Sequence, residues 1–348
     1  MGDNDGLLPF ERVQSAVLIK RKVETDAKFG CFPEERPIER LLQYGIVNIN
    51  KPSGPTSHQV SAYVQKILGL TKSGHSGTLD PKVTGVLPVA LAEGTKVVQA
   101  LLTAGKEYIC LMHLHHEVDE ETIRSVCASF IGKIKQMPPI KSAVKRQWRY
   151  RKIYYLQVLE IDGQDVLIKV GCQAGTYIRK LAHDIGQKLK VGAHMQQLRR
   201  TKAAGFGEDS LCTLQDLTDA YHYYKKGNDT YLRKLIMPLE KGVDHLLKVW
   251  VLDSCVDSLT HGAQLKVPGV ASVSDHMQVG DPVAIMTLKN ELVAFGRSKM
   301  TSREMVNGEK GIAVILERVF LHRGIYPKVE KEMEVVPDVV VSSDGASK

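Results

Sequence analysis

The chain of 348 residues is longer than one compact core usually spans, so two domains are expected. Hydrophobic residues make up 43% of it, which excludes disorder throughout, and no window approaches the roughly 18 uninterrupted apolar residues of a membrane span. The 47 lysines and arginines exceed the 39 acidic residues and give a formal net charge of +8, which suits a polyanionic partner.

The start of the chain and its cysteines both indicate a reducing compartment. The first residues, MGDNDGLLPFERVQ, are acidic and lack a long apolar run, so they do not form a signal peptide. The six cysteines include no C-x-x-C pair and no histidine at zinc-finger spacing, which is typical of buried, reduced thiols. We therefore expect an intracellular protein.

The first predicted elements are an extended segment, a strand, a helix and a second strand. Residues 1 to about 40 lack periodicity, and Pro33 and Pro37 favour an extended chain. A strand is predicted over 45–50, then a helix with apolar residues at 60, 64, 67 and 68 and with Thr56 or Ser57 as its cap. The loop GHSGTLDPKVTG then leads into an apolar strand over 86–91.

The middle of the chain mixes strand and helix signals. A strand is predicted near 109–114 and a helix near 123–131, followed by the basic stretch KSAVKRQWRYRKIYYLQ and the strand VLIKVGC. The turn QAGT opens a helix whose apolar residues at 178, 181, 185 and 189 share a face. Another helix begins near Thr213, with Asp216 three residues further on as in a capping box.

The pattern changes after Gly242. Short apolar runs over 248–252, 283–287, 292–295 and 312–320 are separated by turns such as HGAQ, VPGV and VGDP, with one short helix near 254–260. This spacing is typical of a small β-barrel. The domain boundary is therefore predicted near residues 243–248, and the aperiodic segment from Pro327 is expected to be a mobile tail.

Positive charge is concentrated between Lys133 and Lys202. This stretch of 70 residues holds 16 lysines or arginines and 4 acidic residues. Within it the run from Lys141 to Lys152, interleaved with Trp148 and Tyr150, is either an exposed charged face or a strip that binds a nucleic-acid backbone; the aromatic residues favour the strip. The same two alternatives apply to Arg199 and Arg200, beside an apolar Leu198.

Asp80 is a lone acidic residue between Gly77 and Gly85, followed at once by Pro81. Aspartate in such a loop is commonly a turn residue, and that alternative stays open here. The functional alternative is that the glycines and the proline hold the carboxylate in one orientation. A carboxyl with an ordinary pKa of about 3.9 is ionised at neutral pH, so orientation and a counter-charge would suffice for a nucleophile or base.

Arg179 is the best counter-charge on sequence grounds. It lies in the first turn of its predicted helix, GTYIRKLAHDIG, where a cation is electrostatically unfavourable. An anion should compensate for it, and an arginine can hold a carboxylate through two hydrogen bonds. A solvated surface arginine is the alternative.

Aromatic and histidine residues complete the set of candidates. Tyr108 is either an ordinary strand residue or a stacking platform for a base. His113, His115 and His116 lack a third ligand at matching spacing, so we predict no metal site. His75 is a separate case, since it adjoins the Asp80 loop.

Five segments together resemble the TruB-family pseudouridine synthases. They are NINKPSGPTSHQV, GHSGTLDPKVTGVLPV, GKEYI, AGTYIRKLAHDIG and LRRTKAAGF, and they occur in the family's order. The resemblance is fuller to the dyskerin-like branch found in archaeal H/ACA ribonucleoproteins, and it runs from about residue 35 to residue 326. It implies an α/β fold of the α+β type with a mixed, largely antiparallel sheet, followed by a PUA β-barrel.

The resemblance also divides the chain. It implies an N-terminal extension over 1–40 that packs on the PUA domain, a catalytic domain over 41–246, the PUA domain over 247–326 and a flexible tail over 327–348. In the PUA domain, Gly262, Ala263 and Lys266 correspond to the region that binds the terminal ACA element in the family; for each of them a simple turn is the alternative.

The residue roles that follow are likewise implied by the resemblance. Asp80 corresponds to the catalytic aspartate, Tyr108 to a ring that stacks on the flipped base and takes the carbon-5 proton, and Arg179 to the partner of Asp80. The expected substrate-binding residues are Lys51, His75, Tyr177, Ile178 and Leu198, with Lys51 and Pro52 also supporting the loop. The expected RNA contacts elsewhere are Lys145, Arg146, Arg149, Arg199 and Arg200. Uridine isomerisation requires base flipping but neither a metal nor a cofactor.

The dyskerin-like branch implies RNA-guided isomerisation of uridine in rRNA. The expected partners are an H/ACA guide RNA, the substrate rRNA, small Nop and Gar accessory proteins and a kink-turn-binding ribosomal-type protein. The chain lacks long lysine-rich tails, which favours an archaeal, cytoplasmic protein. Two alternatives remain: a stand-alone synthase for the T arm of tRNA, and a non-catalytic ribonucleoprotein scaffold.

Overall fold

The computed structural model describes residues 6–12, 16–138 and 145–328. Its strands are β1 (Val17–Ile19), β2 (Gly45–Lys51), β3 (Ser73–His75), β4 (Thr84–Leu91), β5 (Lys106–Leu114), β6 (Gly132–Gln136), β7 (Arg149–Asp162), β8 (Asp165–Cys172), β9 (Ala193–Ala203), β10 (Ile236–Pro238), β11 (Leu247–Val251), β12 (Leu265–Lys266), β13 (Val270–Ser274), β14 (Pro282–Met286), β15 (Leu292–Ser298) and β16 (Ile312–Val319). Its α-helices are α1 (Pro9–Arg12), α2 (Ile38–Tyr44), α3 (Ser57–Ile67), α4 (Val98–Thr103), α5 (Glu120–Ala128), α6 (Ile178–Lys188), α7 (Leu214–Lys225), α8 (Thr230–Leu235), α9 (Asp253–Thr260) and α10 (Ser302–Asn307).

The first sheet has nine strands in the order β10-β2-β4-β9-β5-β8-β7-β6, with β3 also paired to β4. Its strand pairs are antiparallel except for β4 and β9, which run parallel where Thr84 lies opposite Arg199. Strand β4 is buried at seven of its eight positions, since its sequence TGVLPVAL is apolar on both faces. The predicted mixed, largely antiparallel sheet is confirmed.

Helices cover the first sheet in two groups. Thr56 caps α3 through a capping box with Gln59, and the Val60–Val64 face of α3 packs with apolar residues of β2, β4 and α7. Helix α6 presents Leu181 and Ile185 to a second cluster formed by β5, β7 and β8. The loops between β3 and β4 and before α6 therefore extend from well-packed elements.

The second sheet has seven strands in the order β1-β13-β11-β14-β15-β16-β12. Only β11 and β14 pair in parallel among its described strands. Some of its apolar side chains, including Val249, Val273 and Ile285, form a cluster of their own, whereas Met286 and Phe295 pack in a cluster shared with the first sheet. Four of the six cysteines are buried, and all six are free.

The N-terminal segment lies on this second sheet. Strand β1 pairs antiparallel with β13, at Val17–Ser274 and Ile19–Ser272. The ammonium of Lys20 donates to the carbonyls of Met305 and Val306, each at 3.0 Å, near the end of α10. The edge of a sheet built from the last quarter of the chain is thus completed by residues from its beginning.

A buried ion pair joins the N-terminal segment to both sheets. Arg36 donates two hydrogen bonds to Glu240, at 2.8 and 2.9 Å, and lies 3.7 Å from Glu291. Glu240 also accepts from the backbone N–H of Leu292 at 2.9 Å. Burial lowers the pKa of the Arg36 guanidinium, but Glu240 and Glu291 together with a contact to Cys31 outweigh burial, and the pKa is raised. These charge-assisted contacts add to an apolar cluster, shared by Ile46 and Phe295, in holding the two sheets together.

Candidate active site

The loop that carries Asp80 is fixed on both sides of that residue. The Oγ of Ser57, at the start of α3, accepts from the N–H of Leu79 at 2.8 Å and donates to its carbonyl at 3.2 Å. Leu79 and Val83 are buried, whereas the Asp80 side chain is 52% exposed. The backbone is therefore anchored while the carboxylate faces an accessible space.

Lys51 supports this loop from below. Its Nζ donates to the carbonyls of Pro52, Pro81 and Val83, each at 2.9 Å, and the residue is 0% exposed. Burial lowers the pKa of Lys51. These contacts are those of a support for the loop. Substrate binding by Lys51, which also lines a groove with Asn50 and Pro52, stays a prediction.

We expect Lys51→Met to destabilise the catalytic domain. The substitution leaves three buried carbonyl oxygens without their donor, and we expect a loss of about 3 kcal/mol, or about 6–12 °C in the melting transition. Thermal unfolding followed by circular dichroism measures it. Lys66→Met, on the exposed face of α3, is the control and should shift the transition by less than about 2 °C. Equal shifts for the two variants would contradict the supporting role.

Arg179 meets Asp80 across the gap between α6 and the loop. The Nη2 of Arg179 donates to Oδ2 of Asp80, and the two side chains are 60% and 52% exposed. Arg179 is the second residue of α6, as predicted, and Asp80 is the anion that compensates for its place at a helix start. The pair is exposed enough to be reached by a ligand.

Gln136 holds the start of α6 and was not singled out from the sequence. Tyr177 is the N-cap residue, and its own side chain makes no capping hydrogen bond. Instead the buried Gln136 of β6 accepts from the Tyr177 N–H at 3.0 Å and donates to the Tyr177 carbonyl at 3.1 Å. A polar residue in a short basic strand gave no sign of this role, which depends on the strand lying beside the helix start.

Tyr108 and Arg200 are opposite each other on β5 and β9. Burial raises the pKa of Tyr108, while the adjacent Arg200 guanidinium opposes the rise. The phenol is therefore neutral at physiological pH, which favours stacking over a role as a ready-formed phenolate base. Asp80 also raises the pKa of Tyr108, so the two side chains lie within electrostatic range.

Arg200 does not lie on the surface. It is 1% exposed and donates to the carbonyls of Val86 at 2.7 Å and Gly77 at 3.3 Å. Strand β9 is an interior strand whose successive side chains point to opposite faces, which places Arg200 inside the protein; its contact with RNA stays a prediction. Arg199 points the other way, where it pairs with Glu208 at 2.6 Å and lines a groove of about 380 Å³ with Asn50 and Thr84.

His75, Ile178 and Leu198 lie around this centre at different depths. Burial, with smaller contributions from His58 and Arg200, lowers the pKa of His75 to about 4, and its Nδ1 accepts from the N–H of Gly77 at 3.3 Å. Ile178 is 3% exposed and packs in the cluster below α6, so it can shape a pocket only through packing. Leu198 is half-buried against the same cluster.

The described part of the predicted basic strip, residues 145–152, leads into β7, which pairs with β6. Lys145 and Arg146 are exposed and Arg149 is half-buried, while residues 139–144, including Lys141, lie outside the described part of the chain. Trp148 and Tyr150 are each 57% exposed, with Lys135 and Lys133 over their rings at 4.8 and 4.3 Å. Exposed rings flanked by cations suit single-stranded RNA.

The three residues predicted to contact RNA near the second sheet are all exposed. Gly262 and Ala263 follow α9 and are exposed, as is Lys266 in β12. Gly262 has a φ of +91° and open space around its Cα, so an RNA backbone could approach closely there.

Within residues 6–12, 16–138 and 145–328, no helix is long and apolar enough to cross a membrane, and no cluster of three metal-ligating side chains is present.

These features define a class of protein: a pseudouridine synthase followed by a PUA domain. The family model described as TruB family pseudouridylate synthase (N terminal domain) matches residues 65–178, and the tRNA pseudouridylate synthase B C-terminal domain matches 179–244. The PUA domain matches 247–320, and the DKCLD (NUC011) domain matches 8–61. The chain belongs to the TruB family of pseudouridine synthases.

Known relatives agree with this membership over nearly their whole length. A probable tRNA pseudouridine synthase B of Thermococcus kodakarensis is 56% identical over 94% of this chain and 98% of its own. A chain from a crystal structure of a Cbf5-Nop10-Gar1 complex is 56% identical with a TM-score of 0.89, covering 93% of this chain and 99% of that one. A chain from an H/ACA RNP bound to a substrate RNA containing 2'-deoxyuridine is 54% identical, with a TM-score of 0.88 and coverage of 93% and 100%.

Proposed function

We propose that this chain is the catalytic subunit of an H/ACA ribonucleoprotein and isomerises uridine to pseudouridine in rRNA under the direction of a guide RNA. The observation that carries the proposal is a half-exposed carboxylate, Asp80, fixed on an anchored loop and paired with Arg179, in a TruB-family chain. The guide-dependent part rests on the likeness to a structure of an H/ACA RNP with substrate RNA.

The chemistry assigned to the site follows from these groups. The bond between the ribose C1' and the uracil nitrogen-1 breaks, the uracil turns, and C1' bonds to carbon-5, which loses its proton while nitrogen-1 gains one. Asp80 is the nucleophile or base at the sugar, and Arg179 holds its carboxylate in place. Tyr108 stacks on the everted base, with Tyr177 and Leu198 beside it. A paired helix hides the bond that must break, so the nucleotide is flipped out.

In this proposal, several residues outside the catalytic centre contact RNA. Lys145, Arg146 and Arg149, at or just before the start of β7, and Arg199 in the groove bind the phosphate backbone, and Gly262, Ala263 and Lys266 bind the end of the guide RNA. The other partners are small Nop and Gar proteins and a kink-turn-binding ribosomal-type protein. The curated relatives come from archaea, so we place the particle in an archaeal cytoplasm.

Tritium release from RNA labelled at uracil carbon-5 tests the proposal. We expect release from rRNA only when the guide RNA and the accessory proteins are present. Relatives are named tRNA pseudouridine synthases, which favours a second candidate function, stand-alone action on tRNA. That function predicts tritium release from tRNA by this chain alone. Full turnover on rRNA without a guide would overturn the guided function, and no release from either RNA would leave the scaffold alternative.

A further inference from the structure

The guanidinium of Arg200 joins the two sides of the active site. Its Nε and Nη2 donate to the carbonyls of Val86 and Gly77, which lie after and before Asp80 along the chain. It also lies beside Tyr108, its cross-strand neighbour, and its charge acts on the phenol. One planar group thus connects the base of the Asp80 loop with the ring on β5.

The backbone of Arg200 also lies between the strand that follows the Asp80 loop and the strand that carries Tyr108. It pairs with Gly85 of β4 on one side and with Tyr108 of β5 on the other. Gly85 has a φ of +102°, and a Cβ built there would lie 2.2 Å from the carbonyl oxygen of Arg200. The absence of a side chain at Gly85 therefore lets the loop strand approach β9 closely at this point.

Arg200 is a buried cation without an anion. None of the ion pairs within the described residues includes Arg200, Lys51 or Lys106, which are 1%, 0% and 5% exposed. Lys106 donates instead to the carbonyls of Leu101 and Ala104 at 2.9 and 2.8 Å. Enclosing a charge is unfavourable unless hydrogen bonds compensate for it. The acceptors of Lys106 lie in one short segment, whereas those of Arg200, Gly77 and Val86, lie on either side of Asp80 in the chain.

We propose that Arg200 is a positioning residue for the isomerisation: it holds the ring of Tyr108 and the loop of Asp80 at one separation, so that a base stacked on the ring presents its sugar to the carboxylate. This inference rests on the proposed function. The rigid fork of an arginine donates to two carbonyls in different directions while it lies beside the phenol, and the single ammonium of a lysine does not reproduce this geometry.

The test compares variants in the assembled particle with guide RNA, under single-turnover conditions and with RNA affinity measured separately. We expect Arg200→Met to lower the rate at saturating RNA about 100-fold and Arg200→Lys about 10-fold, with the dissociation constant for RNA within about threefold of wild type. Arg124→Met is the control, since Arg124 also donates to a backbone carbonyl, that of Val158, but lies on α5 away from the site; it should keep the wild-type rate.

Two further measurements separate positioning from general damage. Rates are expressed per folded molecule, and the titration of His75 is followed by NMR. Loss of the Arg200 charge should raise the pKa of His75 from about 4, because the guanidinium contributes, after burial and His58, to lowering it. Wild-type rates in both Arg200 variants, or rate losses matched by equal losses of RNA affinity, would overturn the inference. Should Arg200→Met fail to fold, Arg200→Lys decides. An inactive wild-type particle would instead refute the proposed function.

Discussion

Asp80→Asn is expected to abolish isomerisation, lowering the single-turnover rate at least about 10⁴-fold while RNA affinity stays within about threefold. The amide keeps the size and shape of the carboxylate but has no negative charge and is a poor nucleophile. The loop should not move, since it is held through backbone groups by Ser57 and Lys51. Carbon-5 tritium release and a filter-binding assay, on the same preparation, measure the two quantities.

Asp184→Asn is the matched control for that variant. Asp184 also pairs with a cation of α6, Lys180, but one turn further along the helix. We expect its rate to remain within about twofold of wild type. Near-normal turnover in Asp80→Asn would refute the assigned role of this carboxylate, and an equal loss in both variants would indicate a general effect of removing charge from this region.

Arg179→Ala should lower the rate by about 10²- to 10³-fold with little effect on stability. Loss of a well-placed donor to a catalytic charge has this magnitude. Because the side chains of the pair are 60% and 52% exposed, solvent screens the interaction, and its contribution to the free energy of unfolding is at most about 1 kcal/mol. Arg179→Lys should recover only part of the rate, because an ammonium lacks the planar geometry.

The measurements are the single-turnover rate and the melting temperature. Arg233→Ala, which breaks the Arg233–Asp229 pair on α8, is the control and should leave the rate unaltered. A wild-type rate in Arg179→Ala would dismiss the catalytic part of the pairing. A large fall in melting temperature would show that the pair is mainly structural.

Periodicity and caps were sufficient to predict the elements that frame the site. Helix α3 with its Thr56 cap, strand β4 and helix α6 all follow from apolar spacing and local hydrogen-bonding residues. The pairing of Asp80 with Arg179 was also accessible, because a cation at a helix start needs a partner. These signals are local, since each depends on residues only a few positions apart, and they can therefore be read from the sequence.

The structural roles of the buried cations could not be predicted in the same way. Lys51 was assigned to substrate from the family resemblance and Arg200 to RNA as one of two adjacent arginines in a basic stretch, and only tertiary contacts bring backbone carbonyls to these side chains. Recognising 193–203 as a strand would have helped: with a period of two, Arg199 and Arg200 must face opposite sides. Gln136 had no local signal at all.

The pairing of β1 with β13 has a consequence for biosynthesis. Residues 17–19 leave the ribosome roughly 250 residues before their partner strand, so at about 5–20 residues per second they wait on the order of 12–50 s for it. During that interval the new strand has no hydrogen-bonding neighbour in its own sheet. Moving this segment to the other end of the gene by circular permutation should therefore shorten the delay.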